Sequence, residues 1–354
     1  MIAASVVCAM LQGCASGNEI ADSSQQTETT VSSSAAEETT TTKELEPTQE
    51  TTSTTAAQNA EEGFVFQPKV CSVFMEEVFG ETMCATWFNL VDAVMAGEDT
   101  FGCPDQDTYD WVMGQFPKYC FPMMNEVIEY SYEPVTSGTA HLTYLVSREE
   151  AAARIAEFGE LVEGILNKTL KKDYSDFEKA IALYNYFWMT YEYDYEKEQR
   201  MYGEIVDTSA ADFLRTGIGI CSEIAPAYSY LLMQAGVEAT TVLGPAHEWS
   251  YVRVNGHNYH IDPTWAIGNA GAMSYFMMTD EQRAVNGFSK DEYVYTSHYS
   301  KDHPHPEYTA DDETFSALWD STFAEMFPDK DTLSCFRQGI GFQTEFFEFD
   351  YTGY

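Results

Sequence analysis

The sequence predicts an α+β fold in which a helix carrying a candidate nucleophile packs on an antiparallel sheet, preceded by a mainly helical accessory region. Two stretches carry this prediction. Residues 216–237 place apolar side chains at helical spacing until Gly236. Residues 244–265 alternate around Asn255-Gly256, a dipeptide typical of a type I′ hairpin turn because both of its residues adopt positive φ.

Residues 1–14 form an apolar stretch that ends in Leu11-Gln12-Gly13-Cys14. The stretch is too short to span a bilayer, which favours a signal peptide. Its end resembles a bacterial lipobox, and that resemblance implies cleavage before Cys14 and a lipid on the Cys14 thiol. No Lys or Arg precedes Cys14, which leaves two alternatives open, a start codon further upstream and an ordinary cleaved signal peptide. We expect a lipoprotein on the extracellular face of a bacterial membrane, or a secreted protein.

Residues 15–62 are dominated by Thr, Ser, Glu, Gln and Ala and contain no aromatic residue. Such a segment buries too little apolar surface to offset the entropy lost on ordering. We therefore predict a disordered, solvated tether, with an adhesive stalk as the alternative.

The charge of the chain is strongly acidic, because 57 Asp and Glu stand against 18 Lys and Arg, a formal net charge of −39. This balance disfavours nucleic acid and anionic membrane surfaces as partners, so a lipid anchor is the only membrane contact expected. Solvation of an extracellular protein explains the acidity, and attraction of basic or amine-bearing substrates is the alternative. We expect a monomer that acts on a protein or peptide substrate.

Residues 63–172 read as an accessory α/β subdomain. The pattern predicts a helix over 69–96, a shorter helix over 105–116, and two strands around a Ser-Gly turn within 125–147. A helix from Arg148 has acids early and lysines late, as the helix dipole favours. We expect this subdomain to complete the core, and shaping of substrate access is the alternative.

Residues 173–285 are predicted to form the catalytic core. A helix over 175–191 is capped by Ser175 or Asp176.

The second helix of this region follows Cys221. Pro226 is tolerated in a first turn, which places the start of the helix at Ser222 or Glu223. A helix N-terminus favours the thiolate form of a cysteine, so Cys221 is a candidate nucleophile.

The hairpin carries a His and an Asp in a defined register. Counting outward from a two-residue turn places Trp249 opposite Asp262 and His247 opposite Thr264, two pairs further out. His247 and Asp262 are then diagonal neighbours within hydrogen-bonding reach. A carboxylate on one ring nitrogen fixes the tautomer of a histidine and stabilises its imidazolium. With Cys221, this makes a Cys-His-Asp arrangement for nucleophilic acyl transfer.

These three blocks resemble the transglutaminase-like superfamily, whose core is papain-like. The matching stretches are Cys221 at a helix start, AHEWSYV with His247, and YHIDPTW with Asp262. The resemblance covers about residues 175–280. It implies that Cys221 is the nucleophile, His247 the base and Asp262 the residue that orients the base.

The resemblance also marks candidates for the substrate cleft. Trp249 matches the family pattern, and Tyr193 and Tyr195 lie in a stretch that borders the cleft in the family. Aromatic packing is the alternative for the two tyrosines. Ser222 follows the nucleophile where many members have a Gly-Tyr-Ala-like run.

The chemistry implied is acyl transfer through a thioester, with no cofactor and no metal. Peptide or amide hydrolysis by a protease or amidase is the expected activity. Gln-Lys cross-linking is one alternative. The other is a surface-anchored binding module that keeps the fold, with Cys221 and His247 as inert structural residues.

Residues 286–354 are predicted to be an extension packed on the core. The stretch 298–308 gathers three histidines and two acidic residues, and we expect a solvated loop there because prolines separate them, with a metal site as the alternative. Residues 341–354 read as a late strand. Outside the signal peptide and Cys221, five cysteines leave one or two disulfides open: Cys71, Cys84, Cys103, Cys120 and Cys335.

Overall fold

The computed structural model describes residues 63–269, 271–296, 303, 306–320, 342–343 and 348–349. The predicted signal peptide with Cys14, the predicted tether and Cys335 lie outside the described residues, so the predictions for them stay predictions. No helix in the described ranges is long and apolar enough to cross a membrane.

The region before the sheet is helical, as expected, but its first helix is divided. Helices α1 (Val73–Phe79) and α2 (Glu81–Ala96) replace the single helix predicted over 69–96. The break is at Gly80, whose φ of 85° is open to glycine at little cost. Its backbone N–H closes α1 by donating to the Glu76 carbonyl at 2.8 Å.

Helix α3 (Gln106–Cys120) runs four residues beyond the predicted end at residue 116. It starts where the Asp105 side chain accepts the Thr108 backbone N–H at 2.8 Å. Pro117 lies inside the helix and removes one backbone hydrogen bond. The last turn still forms, because it buries Tyr119 and Cys120 in the core.

Four short strands lie in this part of the chain. They are β1 (Thr100–Gly102), between α2 and α3, and β2 (Ile128–Glu129), β3 (Thr139–His141) and β4 (Thr143–Tyr144), after α3. The Ser-Gly turn forms as predicted, with positive φ at Ser137 and Gly138. The second predicted strand, however, is split in two. Its first half, β3, pairs antiparallel with β1, and its second half, β4, pairs antiparallel with β2.

Two long helices connect this region to the segment that carries the candidate nucleophile. They are α4 (Arg148–Thr169) and α5 (Asp176–Thr190). The cap of α5 is Ser175, because its hydroxyl accepts the Glu178 N–H at 3.3 Å and the Glu178 carboxylate accepts the Ser175 N–H at 2.7 Å.

Five elements then lead to and include the helix that begins at Cys221: β5 (Glu192–Tyr193), α6 (Tyr195–Met201), α7 (Ala210–Thr216), β6 (Ile218–Gly219) and α8 (Cys221–Gln234). Strands β5 and β6 form a short parallel pair beside the start of α8.

The central sheet has four antiparallel strands in the order β10-β7-β8-β9. They are β7 (Glu238–Gly244), β8 (His247–Val254), β9 (His257–Ile261) and β10 (Val294–Tyr295). The β8–β9 hairpin turns at Asn255-Gly256, both with positive φ, and has the predicted register. Helix α8 packs on β7 and β8.

The remaining elements are α9 (Pro263–Gly268), α10 (Asp280–Val285) and the antiparallel pair β11 (Phe342–Gln343) and β12 (Glu348–Phe349). The single late strand predicted over 341–354 is therefore two strands. One aromatic-rich core joins the described residues from Phe64 to Leu318.

The cysteines in the described ranges carry free thiols, so none of the disulfides left open by the sequence is formed there. The sulfur atoms of Cys71 and Cys84 lie 3.2 Å apart. A side-chain hydrogen bond with Cys120 and then burial raise the pKa of Cys71, and a side-chain hydrogen bond with Cys71 and then burial raise the pKa of Cys84.

Candidate active site

The β8–β9 hairpin brings His247 and Asp262 together. His247 Nε2 lies 2.7 Å from Asp262 Oδ2, and both side chains are buried. The other carboxylate oxygen, Oδ1, accepts the Trp265 backbone N–H at 3.1 Å, so Asp262 is also the N-cap of α9. One side chain therefore orients the imidazole while the start of a helix fixes the carboxylate.

The charges of this pair support each other. Burial acts to lower the pKa of His247, but the Asp262 carboxylate and the Cys221 side chain outweigh it and raise the pKa of His247 to about 9. Burial likewise acts to raise the pKa of Asp262, but His247 and Arg283 outweigh it and lower that pKa. The site thus favours an imidazolium beside a carboxylate.

Cys221 is the first residue of α8 and is partly exposed. Its side chain interacts with His247 and helps to raise the pKa of the imidazole. Because Asp262 occupies Nε2, the nitrogen left for the thiol is Nδ1. The structure thus joins His247 directly to Asp262 and places Cys221 at the start of α8, where its side chain interacts with His247.

The start of α8 differs from the prediction. The helix begins at Cys221 and not at Ser222 or Glu223, and Pro226 lies in its second turn. The cause is a cap supplied from within the helix. The Ile220 N–H donates to Glu223 Oε2 at 3.1 Å, and the Ile220 carbonyl accepts the Glu223 N–H at 2.9 Å.

Glu223 is a residue that the sequence analysis missed. Its carboxylate is buried and pairs with Lys197 Nζ at 2.6 Å, and it accepts the Ser209 backbone N–H at 3.0 Å. The carboxylate thereby ties α6 and the start of α7 to the end of α8 that carries Cys221. A Glu three residues after the cap was the available signal, but Ile220 at the cap position concealed it.

Of the predicted cleft residues, Trp249 is fully buried and does not line a surface. Its indole N–H donates to His260 Nδ1 at 2.9 Å, and its ring stacks 5.9 Å from that of His247. Trp249 is therefore not a cleft residue as predicted, because a second layer of side chains covers this face of the sheet. Phe288 and Tyr293 pack on Trp249 from outside the hairpin.

The other predicted cleft residues, Tyr193, Tyr195 and Ser222, are placed near Cys221 by the β5–β6 pairing or by the sequence. Tyr193 pairs with Gly219, two residues before Cys221. The Tyr195 ring is 66% exposed and packs edge-on against Tyr193 at 4.9 Å. The Ser222 hydroxyl is buried and has no hydrogen-bond partner within the described ranges.

Arg283, at the centre of α10, is the second residue that sequence analysis missed. It is fully buried, and its Nη1 lies 3.1 Å from Asp262 Oδ2. The sequence DEQRAV gives no signal for this placement, because an arginine among acids is ordinarily read as a solvated helix face.

The stretch 298–308 is described only at residues 303 and 306–308. In the parts of the chain that the structure describes, no group of three His, Cys, Asp or Glu is arranged to hold a metal ion.

Comparison with known proteins agrees with the motif blocks. Residues 163–271 match the model of the transglutaminase-like superfamily, and Cys221, His247 and Asp262 all lie inside the match. The resemblance inferred from the sequence is thereby confirmed, and so is the α+β fold with a helical N-terminal region. Among curated proteins, none matches the chain significantly.

A crystal structure of a candidate cysteine protease from Cytophaga hutchinsonii is similar to part of the chain. The two are 18% identical, with a TM-score of 0.24, over 33% of this chain. The similar part spans 36% of that structure.

Proposed function

Since residues 163–271 form a transglutaminase-like domain, we propose that the protein is a cysteine enzyme that hydrolyses peptide or amide bonds outside the cytoplasm. Cys221 is the nucleophile, His247 the base and Asp262 the orienting carboxylate. One observation carries the proposal, the 2.7 Å hydrogen bond between His247 Nε2 and Asp262 Oδ2, with the Cys221 side chain interacting with the same imidazole.

The reaction starts with transfer of the Cys221 proton to His247, which gives a thiolate beside an imidazolium held by Asp262. The thiolate attacks the carbonyl carbon, and the Cys221 N–H, which lacks an intrahelical acceptor at the helix start, donates to the developing oxyanion. His247 then protonates the leaving amine, and a thioester remains. Water attacks the thioester with His247 as base, and the acid and the free thiol are released.

Hydrolysis is favoured over amine transfer by the exposure of the nucleophile. Cys221 is partly exposed, so water reaches a thioester formed on it. A cross-linking enzyme has to exclude water long enough for an amine to react. The extracytoplasmic location rests on the lipobox-like Leu11-Gln12-Gly13-Cys14.

The first test measures the rate of iodoacetamide alkylation at Cys221 against pH by mass spectrometry. We expect fast alkylation that persists below about pH 6 in the wild type, because the ion pair keeps the thiolate available. His247→Ala abolishes this fast phase. His257→Ala is the matched control, since His257 is an exposed histidine of the same hairpin.

The contrary result is alkylation that rises only near about pH 8.5 and is unchanged in His247→Ala. That result identifies a surface-anchored binding module and rejects the enzyme.

The second test asks which acceptor resolves the thioester. A peptide library is incubated with the wild type and with Cys221→Ala, with and without a primary amine, and products are weighed by mass spectrometry. Addition of water in the wild type alone supports hydrolysis. Products that carry the amine in preference to water reject hydrolysis in favour of cross-linking.

A further inference from the structure

Asp262 has a second cationic partner that the Cys-His-Asp chemistry does not require. We propose that Arg283 is a positioning residue for this site, a permanent cation that shares Asp262 with His247 and limits how tightly the imidazolium is held. This inference rests on the proposed function. Arg283 touches neither the thiol nor the substrate in this scheme and acts through Asp262.

The geometry shows that the two cations share one oxygen. His247 Nε2 lies 2.7 Å from Asp262 Oδ2, and Arg283 Nη1 lies 3.1 Å from the same atom. All three side chains are buried. The negative charge of the carboxylate is therefore divided between an imidazole that titrates and a guanidinium that stays charged.

The two cations also share their aromatic surroundings. The guanidinium carbon of Arg283 lies 4.1 Å from the Trp249 ring, 4.3 Å from Phe288 and 4.8 Å from Trp265. The His247 ring packs on the same three rings, with centroid distances of 5.9, 5.5 and 5.4 Å. Aromatic faces stabilise a cation placed over them, which accounts for a guanidinium at this depth.

A structural role alone explains this placement poorly. Removing a guanidinium from water is costly, and a buried ion pair often adds no net stability compared with apolar packing. None of the three guanidinium nitrogens of Arg283 has a hydrogen-bond partner in the described part of the chain, and Nη1 meets Asp262 Oδ2 as an ion pair at 3.1 Å. The fold therefore accepts incomplete hydrogen bonding of Arg283 in order to bring its charge to Asp262.

The chemical consequence concerns the return of the proton. A carboxylate with a single partner holds an imidazolium tightly and makes it a weak acid toward the leaving amine. A second cation on the same oxygen repels the imidazolium and weakens that hold, while it keeps Asp262 ionised.

Other titratable groups near the pair are Cys221 of α8, Tyr184 of α5, His260 of β9, and Tyr275 and Tyr293 outside the main helices. Cys221 helps to raise the pKa of His247, and the pKa of His260, lowered by burial to about 4, keeps that ring neutral while His247 titrates. Burial raises the pKa of each tyrosine, so the phenols stay neutral while His247 titrates.

The test is the NMR titration of the His247 ring in the full chain, with the signal assigned by its loss in His247→Ala. In Arg283→Gln we expect the titration midpoint to rise by about one pH unit, a tenfold gain in proton affinity. Arg283→Lys keeps a cation and stays near the wild type. Arg253→Gln is the control. Arg253 lies on β8, the strand that carries His247, and pairs with Glu77 and Glu238 and not with Asp262.

A merely structural Arg283 gives the opposite pattern. Both variants then melt at lower temperature while the His247 midpoint stays unchanged, and this result overturns the proposal.

A measurement on the wild type keeps the proposal open to refutation if the variants do not fold. The Arg283 Nε–H signal shifts with the same midpoint as His247 if both share Asp262. An Arg283 signal that stays constant through the His247 titration overturns the proposal.

The alkylation experiment separates this inference from the proposed function. If Cys221 is not activated in the wild type, the enzyme proposal itself fails. If Cys221 is activated but the His247 midpoint is the same in Arg283→Gln, only the role of Arg283 fails.

Discussion

At the scale of single residues, Asp262 explains why the site uses a carboxylate and not an amide. Its Oδ1 caps α9, and its Oδ2 meets both His247 and Arg283. An asparagine side chain has one acceptor oxygen and no charge. It would leave the buried Arg283 cation without an anion, so the orienting residue and the arginine depend on each other.

A second histidine, His260, is held in the opposite charge state. Its Nδ1 accepts the Trp249 indole N–H at 2.9 Å, and its Nε2–H donates to Asp280 Oδ1 at 3.0 Å. Burial outweighs the nearby Asp280 carboxylate and lowers the pKa of His260 to about 4. Protonation of Nδ1 would also remove the acceptor of Trp249, whose ring supports His247.

This arrangement predicts how stability depends on pH. Between about pH 6.5 and pH 4 the unfolded chain binds a proton on His260 and the folded chain does not, so the free energy of unfolding falls as the pH falls. The loss amounts to about 3 kcal/mol for a shift of this size. His260→Gln removes this part of the slope in urea unfolding measured across that range. The exposed His257→Gln leaves the slope unchanged, and an equal slope in wild type and His260→Gln would refute the assignment.

At the scale of elements, the hairpin was predictable and the start of α8 was not. Asn255-Gly256 and the alternation beside it are local signals, and they fixed the register that brings His247 to Asp262. The start of α8 depends instead on the Glu223 side chain reaching back to Ile220. The position of Pro226, from which the start of α8 was predicted, does not reveal that contact.

Contacts distant in sequence were also beyond reach. Arg283 meets Asp262 because α10 folds over the second face of the sheet, and that packing depends on Phe288 and Trp249. A short helix of mixed polarity carries no periodic signal strong enough to show which face is buried. The motif residues of the site were therefore predictable, and the residues that tune them were not.

The cap of α8 gives the prediction at this scale. Glu223→Ala removes the carboxylate that pairs with Lys197 Nζ and accepts the backbone N–H groups of Ser209 and Ile220. We therefore expect the free energy of unfolding to fall by about 3 kcal/mol. Alkylation of Cys221 also slows, because Cys221 is the first residue of the loosened helix. Urea unfolding and the alkylation rate measure the two effects. Glu196→Ala on exposed α6 is the control, and a Glu223→Ala protein with unchanged stability and alkylation would contradict the role.

At the scale of the whole molecule, the accessory region and the central sheet share contacts across the predicted boundary at residue 172. Gln67 N donates to Gln234 Oε1 at 2.9 Å, and Gln234 Nε2 donates back to the Gln67 carbonyl at 2.7 Å. The Phe74 ring packs on Tyr251 of β8 at 5.6 Å. The core joins these layers in one apolar cluster. The accessory region therefore completes the core on which the hairpin depends.

This continuity predicts that α1–α3 and the central sheet unfold together in one cooperative step. Phe74→Leu removes packing between the two layers, and we expect it to lower the stability of both by the same amount, about 1–2 kcal/mol. Hydrogen exchange measured by mass spectrometry against urea follows amides of α2 and β8 separately. Equal losses of protection in α2 and β8 support a single cooperative unit, because both layers lose stability when their shared packing is weakened. If α2 opens at lower urea while β8 keeps its wild-type protection, the accessory region is an independent unit and the hairpin geometry does not depend on it.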